Sequence, residues 1–283
     1  MSNEVKTKFP ITWCPGCSNF VLLSSIEKAL KNLITKGTPI EEFTMTTGIG
    51  CHGKIYDYLG ISGIYGLHGR AIPNAIGIKL ANQNLKVLTF VGDGDTYSEG
   101  MSHFIHACRL NPDMTIFVHD NQIFALTTGQ NTPTTEKSKK TKSTPLIRPF
   151  PINPIKLALV SGASFVARIN ALDMKNSPGI IEKAINHRGL SFVEIIQPCV
   201  VLHDTRTFLK NSYQLEDNEL ENSDIAMKKA DEFDYNNDNA KMPLGIFYKK
   251  EREILSDLYP QIKKSDGKAM WEIKRKVNIE ELL

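Results

Sequence analysis

Lys86-Val-Leu-Thr-Phe-Val-Gly-Asp-Gly-Asp95 decides how the rest of the chain is read. Lys86 to Val91 is an apolar, β-branched run, the composition of a strand buried on both faces. The glycines on either side of Asp93 allow positive φ and close backbone approach, and they set its carboxylate at the strand's carboxyl end. Residues 97–110 then space Met101, Phe104, Ile105, Cys108 and Leu110 for one buried helical face, and Asn111-Pro-Asp113 ends that helix. Met114-Thr-Ile-Phe-Val-His119 reads as the next strand and delivers Asp120-Asn121 to its own carboxyl end. In an open parallel sheet both ends face one crevice, where ligands of such folds bind.

The donor atoms say what that crevice suits. A carboxylate, an amide oxygen and a nearby backbone carbonyl are hard ligands, matched to Mg²⁺ and not to a soft metal. They leave octahedral positions open for phosphate oxygens and water, and the glycine-rich turn offers N–H groups to the same diphosphate. A lone Gly-Asp-Gly is more often a tight turn. Followed by a helix and a second polar strand end, it favours a cofactor site.

Working outward, Trp13-Cys14-Pro-Gly-Cys17 precedes an amphipathic helix over residues 18–36, with Phe20, Leu23, Ile26, Leu30, Leu33 and Ile34 directed inward. A C-x-x-C ahead of a helix fits a redox pair, a zinc half-site or an iron–sulfur half-site. Phe43 to Thr47 is a strand, and Gly48-Ile-Gly50-Cys51-His52-Gly-Lys54 is the glycine-rich turn at its end. His68-Gly69-Arg70 opens a helix over 69–83. Cys199 follows the strand from Leu190 to Ile196, so Cys14, Cys17, Cys51 and Cys199 all sit in loops or at strand ends. Cys108, on the face with Phe104, reads as a small buried hydrophobe. Thiolates suit zinc and iron–sulfur clusters alike, and spacing does not separate them. His103 and His106, three apart on a helix, lack a third ligand and read as surface or packing residues.

Gly92-Asp93-Gly94 with Asp120-Asn121 resembles the motif of thiamine-diphosphate enzymes. The longer Asp120-Asn-Gln-Ile-Phe-Ala-Leu-Thr-Thr-Gly-Gln130, with Leu67-His-Gly-Arg-Ala71, resembles the β subunit of 2-oxoacid:ferredoxin oxidoreductases. That resemblance covers roughly residues 12–204, with a weaker match at 242–248. It implies Mg²⁺ on Asp93, Asn121 and the carbonyl of Ile123, and a 4Fe–4S cluster on Cys14, Cys17, Cys51 and Cys199. Gly50, Cys51, His52, His68, Gly69, Arg70, Gly92, Gly94 and Asp95 become expected cofactor contacts. Lys54, His68 and Arg70 are candidate catalytic groups. The implied reaction is the CoA-dependent oxidative decarboxylation of a 2-oxoacid to an acyl-CoA and CO₂, with electrons passed through the cluster to ferredoxin. Thiamine enzymes of this kind take a glutamate from a second, pyrimidine-binding domain, for which this chain has no room. An α subunit is therefore expected, in an αβ or (αβ)₂ assembly. Where some broad-specificity relatives carry a lysine, this chain has the neutral Thr128, which removes one cationic partner for the distal carboxylate of 2-oxoglutarate. Two rival readings are a non-oxidative thiamine-diphosphate decarboxylase or carboligase subunit, and a zinc-stapled structural subunit.

The remaining sequence sets bounds. A net charge of +3, from 34 basic and 31 acidic residues, gives no reason to expect nucleic acid. No apolar signal region or membrane-spanning run is present, and the five cysteines do not form a complete paired set, so a cytoplasmic protein is expected. Residues 127–154 form a long basic, proline-punctuated loop with Lys137, Lys139, Lys140, Lys142 and Arg148, read first as solvated and otherwise as a cover or a landing place for ferredoxin or CoA phosphates. Further βα alternation follows: a helix from Asn153 to Ser161, a strand from Ser164 to Ile169, a helix from Met174 to His187, and the Leu190 strand. The expected fold is α/β, a doubly wound, mostly parallel sheet with helices on both faces and an irregular C-terminal extension. Residues 1–205 are read as the diphosphate-binding domain and 206–283 as an extension packing on it or on the partner. Within that extension one helix is expected near 223–233, and Met242 to Tyr248 returns to apolar character.

Overall fold

The computed structural model describes residues 4–137, 139–141, 150–237, 239–265 and 267–273. The helices are α1 (Asn19–Thr35), α2 (Ala71–Ala81), α3 (Met101–Leu110), α4 (Pro154–Val160), α5 (Ser177–Asn186), α6 (Ser223–Asp231) and α7 (Pro260–Lys263). The strands are β1 (Phe43–Thr47), β2 (Ser62–Tyr65), β3 (Lys86–Gly92), β4 (Met114–Asp120), β5 (Ile123–Phe124), β6 (Gln130–Asn131), β7 (Phe165–Asn170), β8 (Leu190–Ile196), β9 (Ser212–Gln214) and β10 (Met242–Lys249). Eight of them make one sheet in the order β2-β1-β3-β4-β8-β7-β10-β9, and β5 and β6 form a separate small hairpin. Every pairing in the large sheet is parallel except β10 against β7. The doubly wound expectation holds.

Each central strand feeds two cores because successive side chains face opposite sides. Leu88 and Phe90 of β3 and Phe117 of β4 join Leu22, Leu23 and Ile26 of α1 and Ile181 and Ala184 of α5 on one face. Val87, Val91, Ile116 and Val118 join Ala71 and Ala75 of α2 and Phe104 and Cys108 of α3 on the other. Phe90 stacks on Phe117 with centroids 5.2 Å apart, and fully burying such a side chain contributes about 1.5–3 kcal/mol. A third core of Ile196, Phe208, Phe233, Tyr235, Met242 and Leu244 joins the later chain to the sheet. The boundary drawn at residue 205 thus falls ahead of two strands, β9 and β10, of the same sheet.

Several local expectations change. Phe20 is 37% exposed and Leu22 is buried instead; Phe20 meets the buried Trp13 ring edge-on from the rim of the core. Ile105 also faces outward, leaving Phe104, Ala107 and Cys108 as the buried stripe of α3. That helix begins at Met101, not 97, because Asp95–Glu99 forms a wider π-helical turn over the crevice. Asn111 ends it in the left-handed region, φ 54°. After β10 the described chain forms only short 3₁₀ turns and the one-turn helix α7, and residues beyond 273 lie outside the described residues.

Candidate functional site: two cavities with a common wall

The carboxyl ends of β1, β3 and β4, with the loop after β2, surround a crevice of about 70 Å³. Asp93, Asn121 and Ile123 all line it, as do Gly50, Cys51, His52, His68, Gly92, Gly94 and Asp95. Asp93 is buried, with Oδ2 accepting from the Thr134 hydroxyl at 2.9 Å. Burial pushes its carboxyl up to about 6, against hydrogen bonds from Thr132 and Thr134 and from the Gly94 amide. Asn121 sits in a turn in which its Oδ1 accepts from the Ile123 amide at 3.1 Å and Gln122 takes φ 60°. The turn is further held by the Gln122 amide on Asp120 Oδ1 and by Thr135 Oγ1 on the Gln122 carbonyl. A buried carboxylate beside an amide oxygen and a turn carbonyl is a donor set that fits a divalent hard cation.

The glycines are explained by what they touch. A Cβ on Gly92 would stand 2.8 Å from the His52 ring, and one on Gly94 would stand 2.3 Å from the Phe124 ring. His52 is buried, and burial first, then His119 and His68, holds it well below the usual histidine range, so the ring is neutral. Asp95 works differently from an anion-site residue. Its Oδ1 accepts from the Gly69 amide at 2.7 Å and faces His68 Nδ1 at 2.7 Å, so it ties the loop after β2 to the crevice floor. Burial raises Asp95 to about 6.

Three expected site residues stand elsewhere. Arg70 donates to the carbonyls of Gly69 and Glu99 and does not line the crevice. Gly69, at φ 69°, contributes its amide to Asp95 and not to the crevice wall. Lys54 donates to the Thr12 carbonyl and lines the neighbouring cavity.

That second cavity, about 270 Å³, is lined by Cys14, Cys17, Cys51 and Cys199, with apolar Leu126, Val200 and Val201. Cys14 is exposed and the other three are half-buried. The Trp13 indole donates to the Cys51 carbonyl, and Ser18 donates to the Pro198 carbonyl, tying the first cysteine loop to the other two. Cys199 sits in a tight turn closed by two backbone bonds with His203. Burial pushes the Cys51 thiol up to about 11, helped by Cys17 and opposed by Lys54. Cys108 is fully buried away from the cavity, as expected.

Cys51, Asn121, Ala125, Leu126 and Gln197 line both cavities. Gln197 Oε1 lies 2.9 Å from His119 Nδ1, and its amide donates to the Asp120 carbonyl. The loop after Gln130, read as solvated, instead buries Thr132, Thr134 and Thr135 under the crevice. Their signal was a run of β-branched, uncharged residues ahead of the lysines. Lys142 and Arg148 lie outside the described residues.

A Gly-Asp-Gly strand end and an Asp-Asn strand end over one crevice of a doubly wound sheet define the class. The family described as "Thiamine pyrophosphate enzyme, C-terminal TPP binding domain" matches residues 48–195. The 2-oxoacid:ferredoxin oxidoreductase subunit beta of Saccharolobus solfataricus is 41% identical over 256 residues, covering 84% of this chain and 82% of the relative. The 2-oxoglutarate synthase subunit KorB of Methanothermobacter marburgensis is 32% identical, covering 93% and 92%. A solved structure, the 2-oxoglutarate:ferredoxin oxidoreductase from Magnetococcus marinus with 2-oxoglutarate, coenzyme A and succinyl-CoA bound, superposes with TM-score 0.87 at 28% identity, covering all of this chain and 96% of that one. The chain belongs to the β subunits of the 2-oxoacid:ferredoxin oxidoreductases.

Proposed function

We propose that this chain holds thiamine diphosphate through Mg²⁺ on Asp93, Asn121 and the Ile123 carbonyl, and a 4Fe–4S cluster on Cys14, Cys17, Cys51 and Cys199. With an α subunit it would convert a 2-oxoacid and CoA to acyl-CoA and CO₂ and reduce ferredoxin. The observation that carries this reading is the common wall: the crevice and the four-cysteine cavity are one residue layer apart. The bound thiamine group supplies an electron sink for decarboxylation. This chain's part is to anchor the diphosphate end, keep His52 neutral beside it, and seat an electron acceptor behind Gln197. The non-oxidative rival leaves that adjacent acceptor cavity without a purpose.

The cavity also bears on zinc. Tetrahedral zinc with Zn–S near 2.3 Å draws its sulfurs to within about 4 Å of each other. Cys14, Cys17, Cys51 and Cys199 line one space of about 270 Å³, room for a polynuclear cluster.

The α subunit has a natural seat. Edge strand β2 and the residues after it leave Ile64, Tyr65 and Leu67 exposed beside His68 and the crevice, an apolar edge that a partner domain would cover. Thr128, held at φ 75°, lines the cysteine cavity and offers a hydroxyl but no charge. Short 2-oxoacids such as pyruvate are therefore proposed to be at least as good as 2-oxoglutarate. The test is 2-oxoacid- and CoA-dependent ferredoxin reduction by the reconstituted complex, with kcat/KM compared for pyruvate and 2-oxoglutarate and again in Thr128→Lys. No reduction by the complex would reject the function. A strong wild-type preference for 2-oxoglutarate would move the specificity determinant to the partner.

A further inference from the structure

The chain beyond the thiamine-domain match reaches back into the cation site through one phenol. Tyr235, in the loop after α6, is 2% exposed, and its hydroxyl lies 3.0 Å from Asp120 Oδ2 and 2.5 Å from Glu194 Oε1. Glu194 is bound in turn by Arg168 Nε at 2.7 Å, and the Arg168 guanidinium lies 5.1 Å from the Phe233 ring and 5.4 Å from that of Phe247. Register explains the alignment: Arg168 of β7 pairs with Glu194 of β8, and Glu194 pairs with Val118, two residues before Asp120 on β4. From Asp120 the run continues. Its Oδ1 lies 2.8 Å from Thr134 Oγ1, which lies 2.9 Å from Asp93 Oδ2. A continuous row of hydrogen-bond-distance contacts, in which the Tyr235 and Thr134 hydroxyls each share one proton between two carboxyl groups, thus joins the Arg168–Glu194 pair to the carboxyl group at the end of β3.

We infer that Tyr235 is a positioning residue for the divalent-cation site, acting through Asp120. The inference rests on the assignment of Asp93, Asn121 and Ile123 as cation ligands. Asp120 begins the turn that carries Asn121 and Ile123, and Gln122 in that turn holds φ 60°, a conformation kept only while its surroundings fix it. The Gln122 amide is fixed by Asp120 Oδ1, so the orientation of Asp120 sets the turn. Tyr235 stands between Asp120 and Glu194 and donates its one proton to one of them, separating two carboxyl groups that would otherwise face each other in a dry site. Without the hydroxyl, Asp120 rotates away, the Thr134 hydroxyl loses its second partner, and the turn slackens. The cation ligands themselves are untouched, so the effect is on how well they are aimed.

Tyr235→Phe removes the hydroxyl and keeps the ring. In the complex of the full chain with its α subunit, Mn²⁺ replaces Mg²⁺, and free Mn²⁺ is followed by electron paramagnetic resonance with thiamine diphosphate present. Tyr235→Phe should raise the Mn²⁺ half-saturation concentration at least tenfold and broaden the bound-Mn²⁺ signal, with iron content near wild type and a lower but still cooperative thermal transition. In an Asp120→Asn background the same change should add less than twofold, since both act through one side chain. Half-saturation within twofold of wild type in Tyr235→Phe, with Mn²⁺ binding lost in Asp93→Ala, overturns the role of Tyr235 alone. Unchanged binding in both variants removes the cation assignment and the inference with it. Should Tyr235→Phe fail to fold, Glu194→Gln must weaken Mn²⁺ binding in the same way, and wild-type binding there overturns the proposal.

Discussion

The crevice over β3 and β4 and the cavity beside the four cysteines share a wall, yet their walls are held in place differently. In the crevice the proposed oxygen ligands are held by neighbouring groups, Asp93 by the Thr134 hydroxyl and Asn121 by the Ile123 amide. Asp95 takes the Gly69 amide, while Asp95 Oδ2, His52 Nε2 and His119 Nε2 have no hydrogen-bond partner among the described residues. In the cysteine cavity the thiols are weak hydrogen-bond formers, and what is tied down is the backbone around them, through Trp13, Ser18 and the Cys199–His203 turn. Hard oxygen ligands can be pre-aimed by a network of amides and hydroxyls before any cation arrives. Thiols can only be brought near one another by their loops, with burial keeping Cys51 and Cys17 protonated until a metal displaces the proton. The first site should therefore fail one residue at a time. The second should fail as a unit.

The sharpest way to break this contrast is Asp93→Ala. It should abolish Mg²⁺-dependent retention of thiamine diphosphate in a titration while the chain stays folded and the cysteine site keeps its occupant. Normal binding by the variant would mean that the crevice is not the diphosphate site. Next in size, serine at any one of Cys14, Cys17, Cys51 or Cys199 should bleach a brown chromophore, whereas Cys108→Ser should leave the visible spectrum intact. A variant of the four that kept full absorbance would drop that residue from the ligand set.

Legibility in the sequence followed locality. Strands β3, β4 and β8 were plain because runs buried on both faces need no tertiary context to be seen, and Asp93 and Asn121 followed from their places at strand ends. Phe20 was misjudged because a helical stripe does not reveal that the Trp13 loop offers a competing partner. The family resemblance makes Arg70 and Gly69 expected cofactor contacts, but backbone carbonyls engage the Arg70 side chain and Asp95 takes the Gly69 amide. Thr134, Tyr235, Glu194 and Arg168 were missed because their contacts join β7, β8 and loops far apart in the chain, and no short motif encodes such a row.

The smallest effect concerns the strut between the two sites. Glu136, at the end of the threonine loop under the crevice, accepts from His203 at 2.8 Å beside the Cys199 turn. Burial alone would raise its carboxyl, but the hydrogen bond and charge of His203 outweigh it and hold Glu136 below the usual range. A carboxyl lowered on folding stabilises above its unfolded pKa of about 4.3, and that contribution is lost as pH falls through the folded value. Glu136→Gln should cost about 1 kcal/mol at neutral pH, read from urea unfolding. The difference from wild type should shrink below about pH 4. A difference independent of pH would show that the pair is not ionic.

Iron and acid-labile sulfide analysis of anaerobically purified protein, with its visible spectrum, tests most directly that the crevice backs onto an electron acceptor. The account predicts a brown protein with about four irons and four sulfides per chain. A colourless protein carrying one zinc per chain would contradict it.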